Sequence, residues 1–122
     1  CVARALIRDP RCVVLDEATA QVDRENDRLI QDTIRENLAD TTIFSIAHRL
    51  DTIIDFDRIL VVDAGKIAEY DTPANLLRKE DSIFSHLVAK TGEETAGKLK
   101  AAAFLAEQQR ARGDKVDISM YF

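Results

Sequence analysis

An apolar run that ends in two adjacent acids places the strongest constraint on the fold of this chain. Residues 13–17 have the sequence VVLDE. A continuous run of valine and leucine is typical of a parallel strand buried on both faces, and ligands of open α/β sheets bind just beyond the carboxyl ends of such strands. Adjacent carboxylates there point in different directions. One of Asp16 and Glu17 can therefore face a hydrated Mg²⁺ while the other addresses a water that attacks a phosphate.

A second strand-like run ends close to a histidine. Residues 42–46 have the sequence TIFSI, and His48 follows two residues later. Two parallel strands with these endings can bring the acid pair and the histidine to the same edge of one sheet. The alternatives are that Asp16 and Glu17 form a solvated turn that opens a helix, and that His48 is a structural histidine. The joint occurrence of both features at strand ends favours a site.

Composition and charge exclude several classes of protein. Of the 122 residues, 46% are hydrophobic and 32% are charged, which is typical of a soluble globular chain with a small core. The net charge of −5 offers no basic surface for nucleic acid, and no apolar run approaches the ~20 residues that cross a bilayer. Two cysteines are too few for a disulfide framework or a zinc site. The chain starts at Cys1 and its single methionine is Met120, so we expect a piece of a longer protein or a processed product.

The segment between the two strands has the pattern of an amphipathic helix. Asp23 or a near neighbour can cap a helix over residues 24–38, because aspartate is favoured at the position before the first helical turn. Four apolar residues recur at helical spacing and predict one buried stripe, formed by Leu29, Ile30, Ile34 and Leu38. A short helical segment is expected near residues 50–54, after the second strand.

The following residues predict a hairpin and then further helices. Strands are expected over residues 58–62 and 66–70, joined by a tight turn in which Gly65 supplies the positive φ. A hydroxyl at Thr72 and a proline at Pro73 then predict the start of a helix. The apolar residues that follow are suited to packing against the sheet.

The composition changes at Glu93, which predicts a separate C-terminal segment. Residues 93–112 are rich in Ala, Glu, Lys, Gln and Arg, and predict a solvated, weakly amphipathic helix that Gly113 ends. Few large apolar residues there are available for burial, so deletion of the segment is expected to cost little stability. We therefore expect one domain portion over residues 1–90, and a helical extension with a tail over residues 91–122.

Several ordered pieces of the sequence resemble one protein family. They are LDEAT at residues 15–19, VD at 22–23, AHRL at 47–50, DRILV at 57–61 and DAGKI at 63–67. Together they closely resemble the nucleotide-binding domain of ATP-binding-cassette (ABC) transporters, over about residues 2–88. The segments IDFDR at 54–58 and DTPANLL at 71–77 are most similar to the C subfamily, that of the multidrug-resistance-associated exporters.

The resemblance implies a role in ATP hydrolysis for each matching residue. Residues 13–16 match the Walker B strand, whose Asp16 would hold Mg²⁺, usually through water. Glu17 matches the acid that orients or deprotonates the attacking water. Asp23 matches the aspartate of the D-loop, which contacts the partner domain across the nucleotide, and His48 matches the switch histidine that hydrogen-bonds the γ-phosphate. ATP and Mg²⁺ are the implied cofactors.

Two departures from the family pattern qualify these roles. The D-loop usually runs Ser-Ala-Leu-Asp, and Ala20 and Gln21 replace its first two residues, which loosens an expected contact with the other domain's phosphates. The phosphate-binding pattern Gly-x-x-x-x-Gly-Lys-[Ser/Thr] and the signature Leu-Ser-Gly-Gly-Gln do not occur in the 122 residues. In the family, the helix that matches residues 2–6 follows that signature almost directly, so the chain is expected to begin just after it.

The resemblance also implies a fold, partners and a location. The fold is α/β, a partial P-loop NTPase (ABC ATPase) core of mainly parallel strands with flanking helices, plus a C-terminal hairpin and helices. The full glutamate at Glu17 is similar to that of the second cassette domain. The implied partners are the missing N-terminal part of the same domain, a second nucleotide-binding domain and the transmembrane domains of the parent transporter, with no nucleic acid. The implied location is the cytoplasmic face of a membrane.

The expected function is the Walker B, D-loop and switch-histidine part of a cassette whose ATP hydrolysis powers transport. One alternative is an isolated fragment without ATPase activity, either an interaction module or a truncated product, because the phosphate loop and signature are absent. Another is a DExD-type helicase fragment. That class requires Asp or His two residues after Glu17, where Thr19 stands, and basic loops that are not evident.

Overall fold

Residues 4, 7–8, 10–16, 23–38, 40–46 and 49–121 are described by a computed structural model of the chain. The chain divides into two units, Cys1–Arg49 and Leu50–Phe122, each with its own hydrophobic cluster. Among the described residues, the first unit holds a parallel pair of strands and the second an antiparallel pair. The chain is therefore a mixed α/β protein. The domain limit near residue 90 stays a prediction about the parent protein.

The first unit contains the two strands that the sequence predicts to lie side by side. Strand β1 (Cys12–Asp16) is followed by helix α1 (Arg24–Asn37) and strand β2 (Thr42–Ile46). The strands pair in parallel, from Cys12 opposite Thr42 to Asp16 opposite Ile46. Parallel neighbours need a crossover connection, which is usually a helix, and α1 supplies it. The predicted arrangement of two strands with a helix between them is confirmed.

The burial of the two faces of β1 and of α1 differs from the sequence-based expectation at two points. In β1, Val13 and Leu15 are buried whereas Val14 is exposed, so the strand is covered on one face rather than on both. The predicted stripe of α1 is wrong at Leu29, which is 61% exposed. Ile34 and Leu38 are buried as predicted. Which side of each element is covered depends on its tertiary neighbours, and local periodicity does not contain that information.

The second unit begins with a short helix and the predicted hairpin. Helix α2 (Leu50–Ile53) precedes strands β3 (Ile59–Asp63) and β4 (Lys66–Asp71), which pair antiparallel. Both turn residues have positive φ, 49° at Ala64 and 75° at Gly65, as a two-residue hairpin turn requires. The hairpin forms a sheet of its own among the described residues, so the parallel strands are confined to the first unit.

Three helices follow the hairpin. They are α3 (Pro73–Arg78), α4 (Ile83–Ala89) and α5 (Glu93–Ala111), and a 3₁₀ helix (Ser119–Tyr121) ends the described chain. The Thr72 hydroxyl accepts a hydrogen bond from the Asn75 amide at 3.1 Å and caps α3 as predicted. The Glu69 carboxylate of β4 accepts hydrogen bonds from the first two amides of α4, at 2.6 and 3.2 Å. The hairpin and α4 are thereby connected at a helix N-terminus, where a negative charge is favoured.

Helix α5 contradicts the expectation of a solvated helix. Five of its side chains are buried in the cluster of the second unit, namely Ala96, Leu99, Ala102, Ala103 and Ala106. The apolar face is weak in the sequence because alanine dominates it, and a face of small residues contributes little to a hydrophobicity pattern. The small side chains let α5 approach α3 and α4, both of which it contacts.

Arginine side chains at two points add polar contacts to this packing. Arg78 of α3 forms a two-pronged ion pair with Glu107 of α5, and its guanidinium lies 5.2 Å from the Phe104 ring centroid. The hydrogen bonds from Arg78 hold the pKa of Glu107 below its ordinary value. Arg110 of α5 pairs with Asp57 at 3.0 Å and donates to the backbone carbonyl of Asp55. These contacts hold the C-terminal helix against the body of the unit.

No helix in the described part of the chain is long and apolar enough to cross a membrane.

Candidate functional site

The carboxyl ends of β1 and β2 form the sheet edge where the sequence predicts the site. Asp16 and its register partner Ile46 are each the last residue of their strand. Neighbouring strands lie roughly 4.8 Å apart, so the chain leaves both strands at the same edge. Glu17 comes directly after Asp16, and His48 comes two residues after Ile46. Both lie outside the described residues, so their assignment remains a prediction.

Asp16 presents its side chain to solvent at this edge. It lies on the same exposed face of β1 as Val14, opposite the buried Val13 and Leu15. An exposed carboxylate is a suitable ligand for Mg²⁺, which keeps several waters and is usually bound through one or two carboxylates plus substrate phosphates. Within the described ranges, no group of three or more His, Cys, Asp or Glu side chains is placed to hold a metal. As a single exposed carboxylate at a strand end, Asp16 is chemically suited to Mg²⁺.

Asp23 caps helix α1, as the sequence predicts. Its Oδ1 accepts a hydrogen bond from the Asn26 amide at 2.9 Å, and its Oδ2 accepts one from the Asn26 side chain at 3.2 Å. Such a cap contributes about 0.5–2 kcal/mol to helix stability. The Asp23 side chain remains exposed. The carboxylate thus fixes where α1 starts while staying accessible at the end of the connection from β1.

One charged pair in the first unit was not predicted from the sequence. Asp27 of α1 is buried, at 2% exposure, and accepts a 2.5 Å hydrogen bond from Nη1 of Arg49. Arg49 lies between β2 and α2 and directly follows His48 in the sequence. The available signal was spacing, since Asp27 stands three, seven and eleven residues before Ile30, Ile34 and Leu38. An acid at the first position of an apolar stripe indicates that its carboxylate faces the core and pairs with a charged or polar group.

Known proteins with similar sequences are ABC transporters. No protein-family model matches the chain. It is 51% identical over 118 residues to ABC transporter C family member 3 of Dictyostelium discoideum, with 97% of this chain and 8% of that protein covered. It is 47% identical over 103 residues to human ATP-binding cassette sub-family C member 4, with 84% and 8% covered. The chain therefore spans less than a tenth of the length of these relatives.

A solved structure shows the same similarity in three dimensions. It is described as a bacterial Atm1-family ABC exporter with ATP bound, and the TM-score is 0.67 at 38% sequence identity. The match covers 75% of this chain and 16% of that chain. Shared fold and shared sequence therefore point to the same group of proteins.

Proposed function

Because this chain is homologous to C-subfamily ABC transporters, we propose that it is the C-terminal portion of a transporter's nucleotide-binding domain. Residues 1–90 would complete the P-loop NTPase core, and residues 91–122 would form its helical extension. The observation that supports this most directly is the in-register parallel pairing of β1 and β2. It ends both strands at one sheet edge, and in this proposal His48, two residues after the end of β2, lies at that edge with Asp16.

Each candidate residue has one task in the hydrolysis of ATP. The exposed carboxylate of Asp16 would hold Mg²⁺, and the metal would supply charge neutralisation for the phosphates. Glu17 takes a proton from the attacking water or orients it, and His48 hydrogen-bonds the γ-phosphate. Asp23 contacts the partner domain across the nucleotide. Catalysis of phosphoryl transfer consists mainly of positioning and charge stabilisation, which these side chains provide.

The phosphate cradle of this site comes from other chain segments. We propose that the N-terminal part of the same domain supplies the phosphate loop, and that a second nucleotide-binding domain supplies the opposing signature. The exposed apolar face of the parallel sheet, formed by Val14, Phe44 and Ile46, packs against that N-terminal part. An apolar patch on a sheet face commonly marks such an interface. The glutamate at position 17 supports assignment to the second cassette domain.

The parent protein is proposed to be an ATP-driven transporter with its nucleotide-binding domains on the cytoplasmic face of a membrane. Transmembrane domains are the further partners that this function requires. The homology with ABC transporters disfavours the helicase alternative.

The role of Asp16 is tested through the Mg²⁺ requirement of the complete transporter. Attraction between unit charges ~4 Å apart is about 4 kcal/mol at an effective dielectric of 20, and solvent exposure reduces it. We expect Asp16→Asn to raise the Mg²⁺ concentration for half-maximal ATP turnover by on the order of tenfold, or about 1.4 kcal/mol. The matched control is Asp63→Asn, an exposed acid at the end of β3 that enters a hairpin turn. An unchanged Mg²⁺ requirement in Asp16→Asn would contradict the assignment.

Residues 1–122 alone are expected to be inactive. Without the phosphate loop and its lysine, the phosphates of ATP face the carboxylates of Asp16 and Glu17 with little compensating charge. We expect no measurable ATPase activity and Mg-ATP affinity no better than millimolar, roughly −4 kcal/mol. Calorimetric titration of the purified chain with Mg-ATP measures this, and micromolar binding would show that these residues bind nucleotide unaided.

A further inference from the structure

The buried ion pair between Asp27 and Arg49 connects two segments that the proposed function assigns to the nucleotide. The Asp27 amide donates a 2.8 Å hydrogen bond to the carbonyl of Asp23, which is the first bond of α1. Its carboxylate accepts the 2.5 Å bond from Arg49. The first turn of α1 and the Asp27–Arg49 ion pair thus connect Asp23 to the residue after His48.

The burial of the two partners is unequal. The Asp27 side chain is 2% exposed, whereas that of Arg49 is 37% exposed. Oδ1 of Asp27 has no hydrogen-bond partner within the part of the chain that the structure describes. Taking a carboxylate out of water has a desolvation cost, which an ion pair offsets only in part. On the stripe that continues with Ile30, Ile34 and Leu38, a leucine at this position would remove that cost.

A buried ion pair is therefore weak evidence for added stability, but it has a geometric consequence. A hydrogen-bonded charged pair fixes the direction of an arginine side chain, whereas an apolar contact leaves that direction free. The arginine held in this way directly follows His48 in the sequence.

We propose that Asp27 is a positioning residue that, through Arg49, holds His48 in register with the D-loop. This inference rests on the proposed function of His48 and Asp23. Asp27 does not touch the nucleotide in this scheme. Its effect is on the rate of hydrolysis, because the placement of a γ-phosphate contact matters most in the transition state.

The test compares Asp27→Leu with Asp32→Leu in the complete transporter. Asp32 lies on the same helix and pairs with Arg35 at 3.7 Å, but at an exposed position. We expect Asp27→Leu to lower kcat for ATP by on the order of tenfold, with KM within about twofold, as for loss of a transition-state interaction. Asp32→Leu is expected to leave both kinetic constants unchanged. A purely structural role of Asp27 predicts normal kcat in a stable Asp27→Leu protein, and that result would overturn the proposal.

Four further variants make the result decisive. Arg49→Met is expected to lower kcat to the same extent as Asp27→Leu. The double variant is expected to lower kcat no further, because each substitution removes the same interaction. Arg49→Lys keeps a charge for Asp27 and is expected to restore most of kcat. If Asp27→Leu does not fold, Asp27→Asn replaces it in the test, because asparagine has nearly the same shape as aspartate. The kcat of Asp27→Asn then decides whether Asp27 is a positioning residue.

Glu17→Gln separates this inference from the proposed function. Normal ATP turnover in Glu17→Gln would overturn the function itself. Loss of turnover in Glu17→Gln together with normal kcat in Asp27→Leu and Asp27→Asn would overturn only the positioning role.

Discussion

Replacement of Glu17 by glutamine in the complete transporter is expected to lower ATP turnover ~10²–10⁴-fold, the usual contribution of general-base catalysis. Glutamine has nearly the same shape but cannot accept a proton from water at neutral pH. ATP affinity is expected to stay within a few-fold, because the amide adds no negative charge near the phosphates. The measurement is steady-state ATPase activity together with equilibrium binding of Mg-ATP.

A matched substitution on the same unit controls for general effects of losing an acid. Glu36 is exposed on α1, away from the carboxyl ends of the strands. Glu36→Gln is expected to retain full turnover and affinity. If Glu17→Gln retains near-normal turnover, Glu17 is not the catalytic base and the proposed function of this sheet edge is wrong.

Removal of helix α5 is expected to destabilise the domain severely, which reverses the expectation from composition. Truncation after Gly92 removes five buried side chains of α5. It also uncovers other members of the same hydrophobic cluster, which include Leu76, Phe84 and Val88. Loss of this apolar burial costs roughly 25 cal/mol per Å² newly exposed, and domains have only 5–15 kcal/mol in reserve. The truncated nucleotide-binding domain is expected to be unfolded or to melt far below the intact domain.

A single substitution measures the contribution of α5 to stability without removal of the helix. Leu99 is 1% exposed on α5, whereas Leu87 is 41% exposed on the neighbouring α4. Leu99→Ala is expected to lower the free energy of unfolding by about 2–5 kcal/mol, as buried leucines do. Leu87→Ala is expected to lower it by less than about 1 kcal/mol. Urea unfolding of a soluble nucleotide-binding domain that contains this chain measures both. Equal effects at the two sites would show that α5 is not part of the core.

The elements themselves could be predicted because their signals are local. The positions of β1, β2 and α1 follow from apolar runs of strand length and from one helical repeat. Asp23 and Thr72 were identifiable as caps because a short oxygen-bearing side chain satisfies a free amide of the first helical turn. The turn at Gly65 follows from the positive φ that a two-residue hairpin needs. In each case the deciding interaction joins residues within about four positions of each other.

The parallel pairing was predicted correctly for a different reason. A helix between two apolar strands leaves few topologies, and the usual one is a parallel crossover. Asp16 at the strand end therefore lies at the sheet edge, as expected. Only the order of elements was needed, and the sequence contains that order.

Burial was decided by tertiary structure alone. Leu29 and Asp27 lie two positions apart on α1, and hydrophobicity favours the wrong one as the buried residue. Asp27 is buried because Arg49, twenty-two residues later, is brought to it by the fold. Leu99 is buried because α3 and α4 lie against α5. Side-chain chemistry determines which local structures form, but the free energy of burying a group depends on partners that are distant in sequence. Those partners exist only once the chain has folded.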